Sequence, residues 1–368
     1  MLFTDTIKEP TLSREGKKLK PPIFLTGCGR SGTSLLQRVI SNHKNIYSFR
    51  SETHFFGRYY NIPSLKEVNI ENLLESANYT GAMEVFYKEF QSKQDYESLA
   101  LSLLSVMFHT IEIAPGMVKN KNYQSNVLQI YGEIKELDDY KNVSNRYEMF
   151  NLLANHLTVK SSKKRWADKS SVNMFNTHTI LDFFPDAKFI EIYRDPRGVY
   201  YSWTRCPFKF FRLASPITCS EMWRKTTRLG EKLEKELKGK YYRVKYEDLL
   251  ISPVKELEKI CNFIEEEFDS NMLQVKTTNS SFRQYNGKEG IDSQRTSHWK
   301  NSLSKSELIF IDFATRKNRT NLGYPDVAPR LTPINILPFL VFFTNLCLKA
   351  KRNPIKYIKK IIKEDANT

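Results

Sequence analysis

The chain has 368 residues, 40% of them hydrophobic and 27% charged, a composition that supports a packed core and excludes a disordered polymer. Lysine and arginine number 57 against 41 acidic residues. The formal charge of +16 calls for anionic partners: phosphate-bearing molecules, nucleic acid or an anionic membrane face.

Residues 1–20 are polar, lack the apolar stretch of a secretory signal, and read as a leader arm. The sequons at Asn78, Asn142, Asn279 and Asn318 are then expected to be accidental. Pro21 and Pro22 introduce the apolar run Ile23-Phe24-Leu25-Thr26, which predicts a buried parallel strand. Beyond Thr33, Leu35, Leu36, Val39 and Ile40 recur at helical spacing, so Gly27-Cys28-Gly29-Arg30-Ser31-Gly32-Thr33-Ser34 joins a strand to a helix N-terminus.

Residues 64–163 carry helical patterns over 99–113 and 147–157 and predict an α-rich insertion. A second strand, turn and helix follow in Lys188-Phe189-Ile190-Glu191-Ile192-Tyr193 and Arg194-Asp195-Pro196-Arg197, with Pro196 suited to a first helical turn. A long charged helix is expected over 220–237, a third strand over 242–246, and a further helix from Glu247. This alternation predicts an α/β fold with a mostly parallel sheet covered on both faces. The tail, 331–368, is apolar over 334–348 and basic over 349–363. The apolar part is too short and interrupted for a membrane span. Two readings stay open: an amphipathic segment lying on an anionic membrane, or a helix packed on the body with a solvated basic end.

Cysteines at 28, 206, 219, 261 and 347 form no pair with metal-ligand spacing. Free buried thiols in a reducing, cytoplasmic compartment are the expectation, with peripheral membrane contact left open by the tail.

Unpaired N–H groups at a helix N-terminus, with the helix dipole behind them, make an anion site that glycines allow the backbone to wrap. Gly27 and Gly32 have the spacing of the nucleotidase phosphate loop, but Thr33 stands where a nucleotidase needs lysine for its β- and γ-phosphates. Arg30 supplies a cation inside the loop, and Ser31, Thr33 and Ser34 supply hydroxyls. That set suits a 5′-phosphate carrying a sulfuryl group, without a metal. Arg194 and, eight residues on, Ser202 can form a second anion site; an Arg194–Asp195 turn pair is the plainer alternative.

Taken together, Pro22 to Ser34 resembles the 5′-phosphosulfate loop of the P-loop sulfotransferase superfamily, and Tyr193 to Ser202 resembles its 3′-phosphate motif. The chain looks closest to bacterial members related to tyrosylprotein and carbohydrate sulfotransferases. The resemblance runs over residues 20–325. It implies a P-loop-type parallel sheet flanked by helices, a sulfotransferase domain over 20–330, and 3′-phosphoadenosine 5′-phosphosulfate as co-substrate, with adenosine 3′,5′-bisphosphate as product. It also implies a cofactor contact for Tyr246 and another for Lys300, in a late Trp299-Lys300 element. Gly29, Arg30, Ser31, Gly32, Thr33, Ser34, Arg194 and Ser202 complete the expected cofactor set.

Glu52, in Arg50-Ser51-Glu52-Thr53-His54-Phe55-Phe56, falls where relatives with a carboxylate base carry it; His54 competes, its ordinary pKa being nearer neutral. In an extended segment both would face one side. Lys169, ahead of an expected helix, is assigned to the transferring group. The acceptor is left open among a small molecule, a carbohydrate, a glycolipid and a peptide tyrosine, with the basic surface and apolar tail favouring a glycolipid. No nucleic-acid-binding motif is present, and nucleic acid is not expected. A P-loop kinase or nucleoside-triphosphatase, and a non-catalytic binder of anionic surfaces, are the alternatives.

Overall fold

The computed structural model describes residues 19–49, 52–56, 95–108, 123–206, 215–275, 290–329 and 332–349, with positions 353, 355–356, 358–359 and 361–362 of the tail. The expected leader arm up to residue 18, the sequons at 78 and 279, and Arg50 and Ser51 lie outside the described residues.

Five parallel strands form one sheet: β1 (Ile23–Thr26), β2 (Ile46–Ser48), β3 (Arg165–Lys169), β4 (Lys188–Tyr193) and β5 (Tyr241–Lys245), in the order β2-β3-β1-β4-β5. All four residues of β1 are buried, as a central parallel strand covered on both faces requires. Its alternation divides the core. Ile23 and Leu25 pack with Ile190, Ile192 and Leu36, Val39 and Ile40 of α1 (Thr33–Ser41) on one face. Phe24 points to the other face, among Trp166, Phe189, Phe49 and Phe150.

The second face is covered by three helices of the expected insertion, α2 (Asp95–Phe108), α3 (Tyr123–Lys135) and α4 (Arg146–Lys160), with a single helical turn over Asp138–Lys141 between the last two; residues 109–113 of that expectation lie outside the described residues. Phe55 stacks on Phe150 of α4 with ring centroids 4.5 Å apart, and Phe56 packs edge-on against Phe55 and Phe24. The segment after β2 is therefore seated by the insertion.

After β3, α5 (Thr177–Phe183) leads into β4. Helix α6 (Pro196–Thr204) follows it, with Asp195 as its cap and Pro196 in its first turn. Helix α7 (Pro216–Glu236) begins four residues earlier than the sequence pattern predicts, because Ser215 caps it and Pro216 opens it. After β5 come α8 (Tyr246–Ile251) and α9 (Pro253–Phe263), then α10 (Lys305–Asn321), opened by a capping box between Ser304 and Glu307. Helix α11 (Pro333–Lys349) follows. Tyr246 is thus the first residue of a helix rather than the last of a strand: β5 ends at Lys245, one residue sooner than expected. Among the described residues no helix is long and apolar enough to cross a membrane.

Candidate active site

The loop between β1 and α1 curls through three residues at positive φ, Gly27 (146°), Arg30 (71°) and Gly32 (109°). A side chain at Gly32 would place its Cβ 2.5 Å from the Tyr246 ring, so both the conformation and the space demand glycine. Gly32 caps α1 without a side chain, and its carbonyl takes the N–H groups of Leu35 and Leu36. Among the described residues nothing accepts from the backbone N–H groups of Gly32, Thr33 or Ser34. They point out of the helix end as an anion cradle. Ser31 Oγ is sealed from solvent, with only the weak thiol of Cys28 for company.

Helix α6 closes one side of the loop. Trp203 Nε1 donates to the Gly29 carbonyl at 2.9 Å, and Arg30 Nε donates to Ser202 Oγ at 3.3 Å. Arg194, at the exit of β4, donates to the Arg30 carbonyl and lies over the Tyr246 ring, 4.2 Å from its centroid. The Arg194 Nε is buried without a partner. It runs so close to Gly198 that a Cβ there would come within 2.9 Å of it. Asp195 does not pair with Arg194. Its carboxylate caps α6 and binds Arg197, which also reaches Asp312 and lies over Trp299. One arginine of the Arg194-Asp195-Pro196-Arg197 turn is neutralised inside the fold, and the other faces the loop.

The segment after β2 meets the end of β3 beside this loop. Lys169 Nζ donates to Glu52 Oε1 at 2.5 Å, and His54 Nε2 stands 3.2 Å from Glu52 Oε2. Lys169 is paired in register with Leu25 of β1, which brings the cluster to the carboxyl edge of the central strands. Glu52 and His54 meet, but not through strand alternation: His54 is left-handed, at φ 50°, with its N–H held by Ser170 Oγ. Beneath them Thr53 Oγ1 and Asn173 Nδ2 donate to the buried Asp168 carboxylate. Burial pushes the Asp168 carboxyl up to about 6, against those two hydrogen bonds.

Burial also works to raise the Glu52 carboxyl, but the charges of Lys169 and His54, with hydrogen bonds from Lys169 and the Ser171 N–H, outweigh it and hold the group at about 2. Burial lowers the His54 imidazole, against the pull of Glu52, so the ring favours its neutral form. Burial lowers the Arg30 guanidinium, which also feels the Glu52 charge; the loop and the Glu52 cluster are electrostatic neighbours.

Of the expected residues, the structure gathers Gly29, Arg30, Ser31, Gly32, Thr33, Ser34, Arg194, Ser202 and Tyr246 around the loop, and Glu52, His54 and Lys169 beside it. Lys300 is exposed on the turn His298–Asn301, and among the described contacts none joins it to the loop. Two residues escaped the sequence reading. Arg295 offers its carbonyl to Arg194. Burial, together with the charge of Arg295, brings Arg38 of α1 down to about 10, with Tyr246 also close. Their signal in the sequence is an arginine one turn into α1 and another shortly before Trp299, too common to single out.

The family model described as "Sulfotransferase family" matches residues 21–270. The chain belongs to the sulfotransferase family. The matched stretch of this sulfotransferase includes the loop, Glu52, Lys169, Arg194, Ser202 and Tyr246, and stops short of Trp299, Lys300 and the tail. A candidate protein-tyrosine sulfotransferase of Caenorhabditis elegans is 26% identical over 144 residues, which is 36% of this chain and 56% of that relative, little more than half its length. Among solved structures, the sulfotransferase domain of the Synechococcus PCC 7002 olefin synthase superposes with a TM-score of 0.51 at 18% identity, covering 86% of this chain and 99% of that domain. That likeness shows a shared fold. The sulfotransferase domain from the curacin biosynthetic pathway has a TM-score of 0.47 at 15% identity, covering 83% of this chain and 98% of that domain.

Proposed function

We propose that the protein transfers a sulfuryl group from 3′-phosphoadenosine 5′-phosphosulfate to a hydroxyl or amine acceptor. The observation that carries this reading is the pair of arginines joined across the loop. Arg194 donates to the Arg30 carbonyl and the nearby Asp195 is committed to Arg197, and we read the two joined arginines as two anion positions. A donor with phosphate at both its 5′ and 3′ ends matches two such positions. The residues fit it: unpaired N–H groups at α1, the sealed Ser31 hydroxyl, and a buried Arg194 Nε with no acceptor. Thr33 in place of lysine speaks against a triphosphate.

In this reading Ser31, Arg30 and the N–H groups of Gly32, Thr33 and Ser34 hold the 5′-phosphosulfate. Arg194 and Ser202 hold the 3′-phosphate, and Tyr246 walls the space between. The donor supplies a sulfur atom whose bond to the phosphate oxygen breaks as the acceptor oxygen or nitrogen bonds to it, releasing adenosine 3′,5′-bisphosphate. Lys169 offsets charge on the sulfuryl and bridging oxygens, and Glu52 takes the acceptor proton. Held at about 2 by Lys169 and His54, Glu52 is a weak base at rest. When Lys169 turns to the sulfuryl oxygens, burial acts on a carboxylate that has lost its strongest partner, and its proton affinity rises. His54, with Nε2 3.2 Å from Glu52 Oε2, orients the carboxylate. Among the described residues no cluster of acidic, histidine and cysteine side chains has the make-up of a metal site; the cations in this scheme are arginine and lysine.

Titration calorimetry tests the donor. Adenosine 3′,5′-bisphosphate should bind far more tightly than ATP with Mg²⁺, and the reverse order overturns the proposal. For the acceptor we favour a small-molecule, carbohydrate or glycolipid hydroxyl. A peptide tyrosine is the second reading, supported by the Caenorhabditis elegans relative. Incubation with ³⁵S-labelled donor and cell extract separates them: label in the lipid or sugar fraction supports the first reading, and label in trypsin-released peptides supports the second.

A further inference from the structure

Helix α11 is apolar on both sides. Phe343, Leu346 and Cys347 pack into a core shared with Phe310 of α10, Trp203 of α6 and Cys28 of the phosphate loop. The opposite side turns Leu337, Leu340, Val341 and Leu348 to solvent, with Leu337 66% and Leu348 64% exposed. These positions fall on one stripe at helical spacing. Fourteen large apolar residues are exposed among those described, and eight of them lie between Val327 and Ile362, so the exposed apolar surface is concentrated here. Further along, Ile361 is buried in the same core while Ile355 and Ile362, with Lys356 and Lys359 near them, face outward. The tail is thus fixed to the body at two points. The helix packs on the body and still turns an apolar face to solvent.

We infer that this face docks on an anionic lipid bilayer. The charge of the segment chooses the occupant. Between Asp326 and Glu364 the sequence has eight basic residues, from Arg330 to Lys363, and no acidic one. An apolar stripe bordered by lysines matches a hydrocarbon boundary below negative headgroups. It is mismatched to a second copy of itself, whose like charges repel. Because α11 shares its core with the phosphate loop, docking holds the site at a fixed height above the lipid surface. This inference does not depend on the sulfotransferase chemistry.

Sedimentation of the full chain with vesicles tests it without reference to turnover. The chain should bind phosphatidylcholine vesicles containing about one third phosphatidylserine, bind pure phosphatidylcholine at least ~10-fold more weakly, and release as salt rises. Leu337→Glu with Val341→Glu, both at exposed positions, should abolish binding while leaving the melting temperature and adenosine bisphosphate affinity unchanged. Lys356→Gln with Lys359→Gln should weaken binding to the anionic vesicles roughly 25-fold at low salt. Equal binding to both vesicle types, or no loss in the Leu337 and Val341 variant, overturns the inference. So does a concentration-dependent dimer in sedimentation velocity that the same pair of substitutions removes, since that gives the face to a second copy.

Discussion

Lys169 Nζ rests 2.5 Å from Glu52 Oε1, joining the end of β3 to the segment that follows β2. The cation proposed for the sulfuryl oxygens and the proposed base therefore neutralise each other in this arrangement. Glu52→Gln should lower kcat by roughly 10²- to 10⁴-fold while leaving the affinity for adenosine 3′,5′-bisphosphate within about threefold. Stopped-assay kinetics alongside calorimetry check this. Full turnover in Glu52→Gln, with loss in His54→Ala, would move the base to the imidazole.

The same pair sets a pH dependence of stability. Glu52 is depressed from 4.5 to about 2, so its contribution is fully present above the unfolded value and is lost as pH falls through the folded one. Urea unfolding at pH 7 should find Glu52→Gln less stable than the parent by about 3 kcal/mol, the equivalent of that depression. The gap should shrink steadily between pH 4.5 and 2.

Arg194→Ala removes a buried guanidinium wedged between the Arg30 carbonyl, the Tyr246 ring and Gly198. Affinity for adenosine 3′,5′-bisphosphate should fall roughly 10- to 100-fold, the range for charge-assisted hydrogen bonds. Affinity for adenosine 5′-monophosphate, which lacks the 3′-phosphate, should change far less. Calorimetry with the two nucleotides separates lost recognition from a distorted loop.

Gly32→Ala puts a methyl group into the Tyr246 ring at a left-handed position. A loss of about 1–3 kcal/mol in unfolding free energy is expected, together with loss of nucleotide binding. Tyr246→Leu in the Gly32→Ala background should recover part of the stability and none of the left-handed strain.

Burial raises the Cys28 thiol to about 12, so it stays protonated at every working pH despite sitting in the loop. Iodoacetamide at pH 8 should leave Cys28 unmodified in the folded protein and label it in urea, as peptide mass mapping would show.

How legible this was depended on what each element must bury. β1 is apolar and buried throughout, β4 carries the apolar Phe189, Ile190 and Ile192 around a buried Glu191, and the loop between β1 and α1 carries its chemistry in eight consecutive residues, so these could be read directly. β3 could not. Arg-Trp-Ala-Asp-Lys is fully buried, yet three of its five residues are charged. Arg165 gives its protons to the carbonyls of Pro21 and Ile264, Asp168 receives Thr53 and Asn173, and Lys169 holds Glu52. Partners far away in sequence make that strand possible, and no local pattern announces them. β2 has three residues, too few for any alternation to register. The Glu52 and His54 pairing was expected from an extended segment and is made instead by a left-handed turn at His54, a conformation that residue type alone does not signal.

The stack of Phe55 on Phe150 gives the site two separately adjustable halves. The half proposed to hold the donor is laid down by the loop, Arg194, Ser202 and Tyr246, around β1, β4 and β5. The segment carrying Glu52 is clamped by a helix of the insertion through Phe55 and Phe56. In the proposed scheme, substitutions in α4 shift Glu52 relative to the sulfur without touching the residues assigned to the nucleotide. A lineage could exchange one acceptor for another by rewriting the insertion, keeping its donor unchanged throughout.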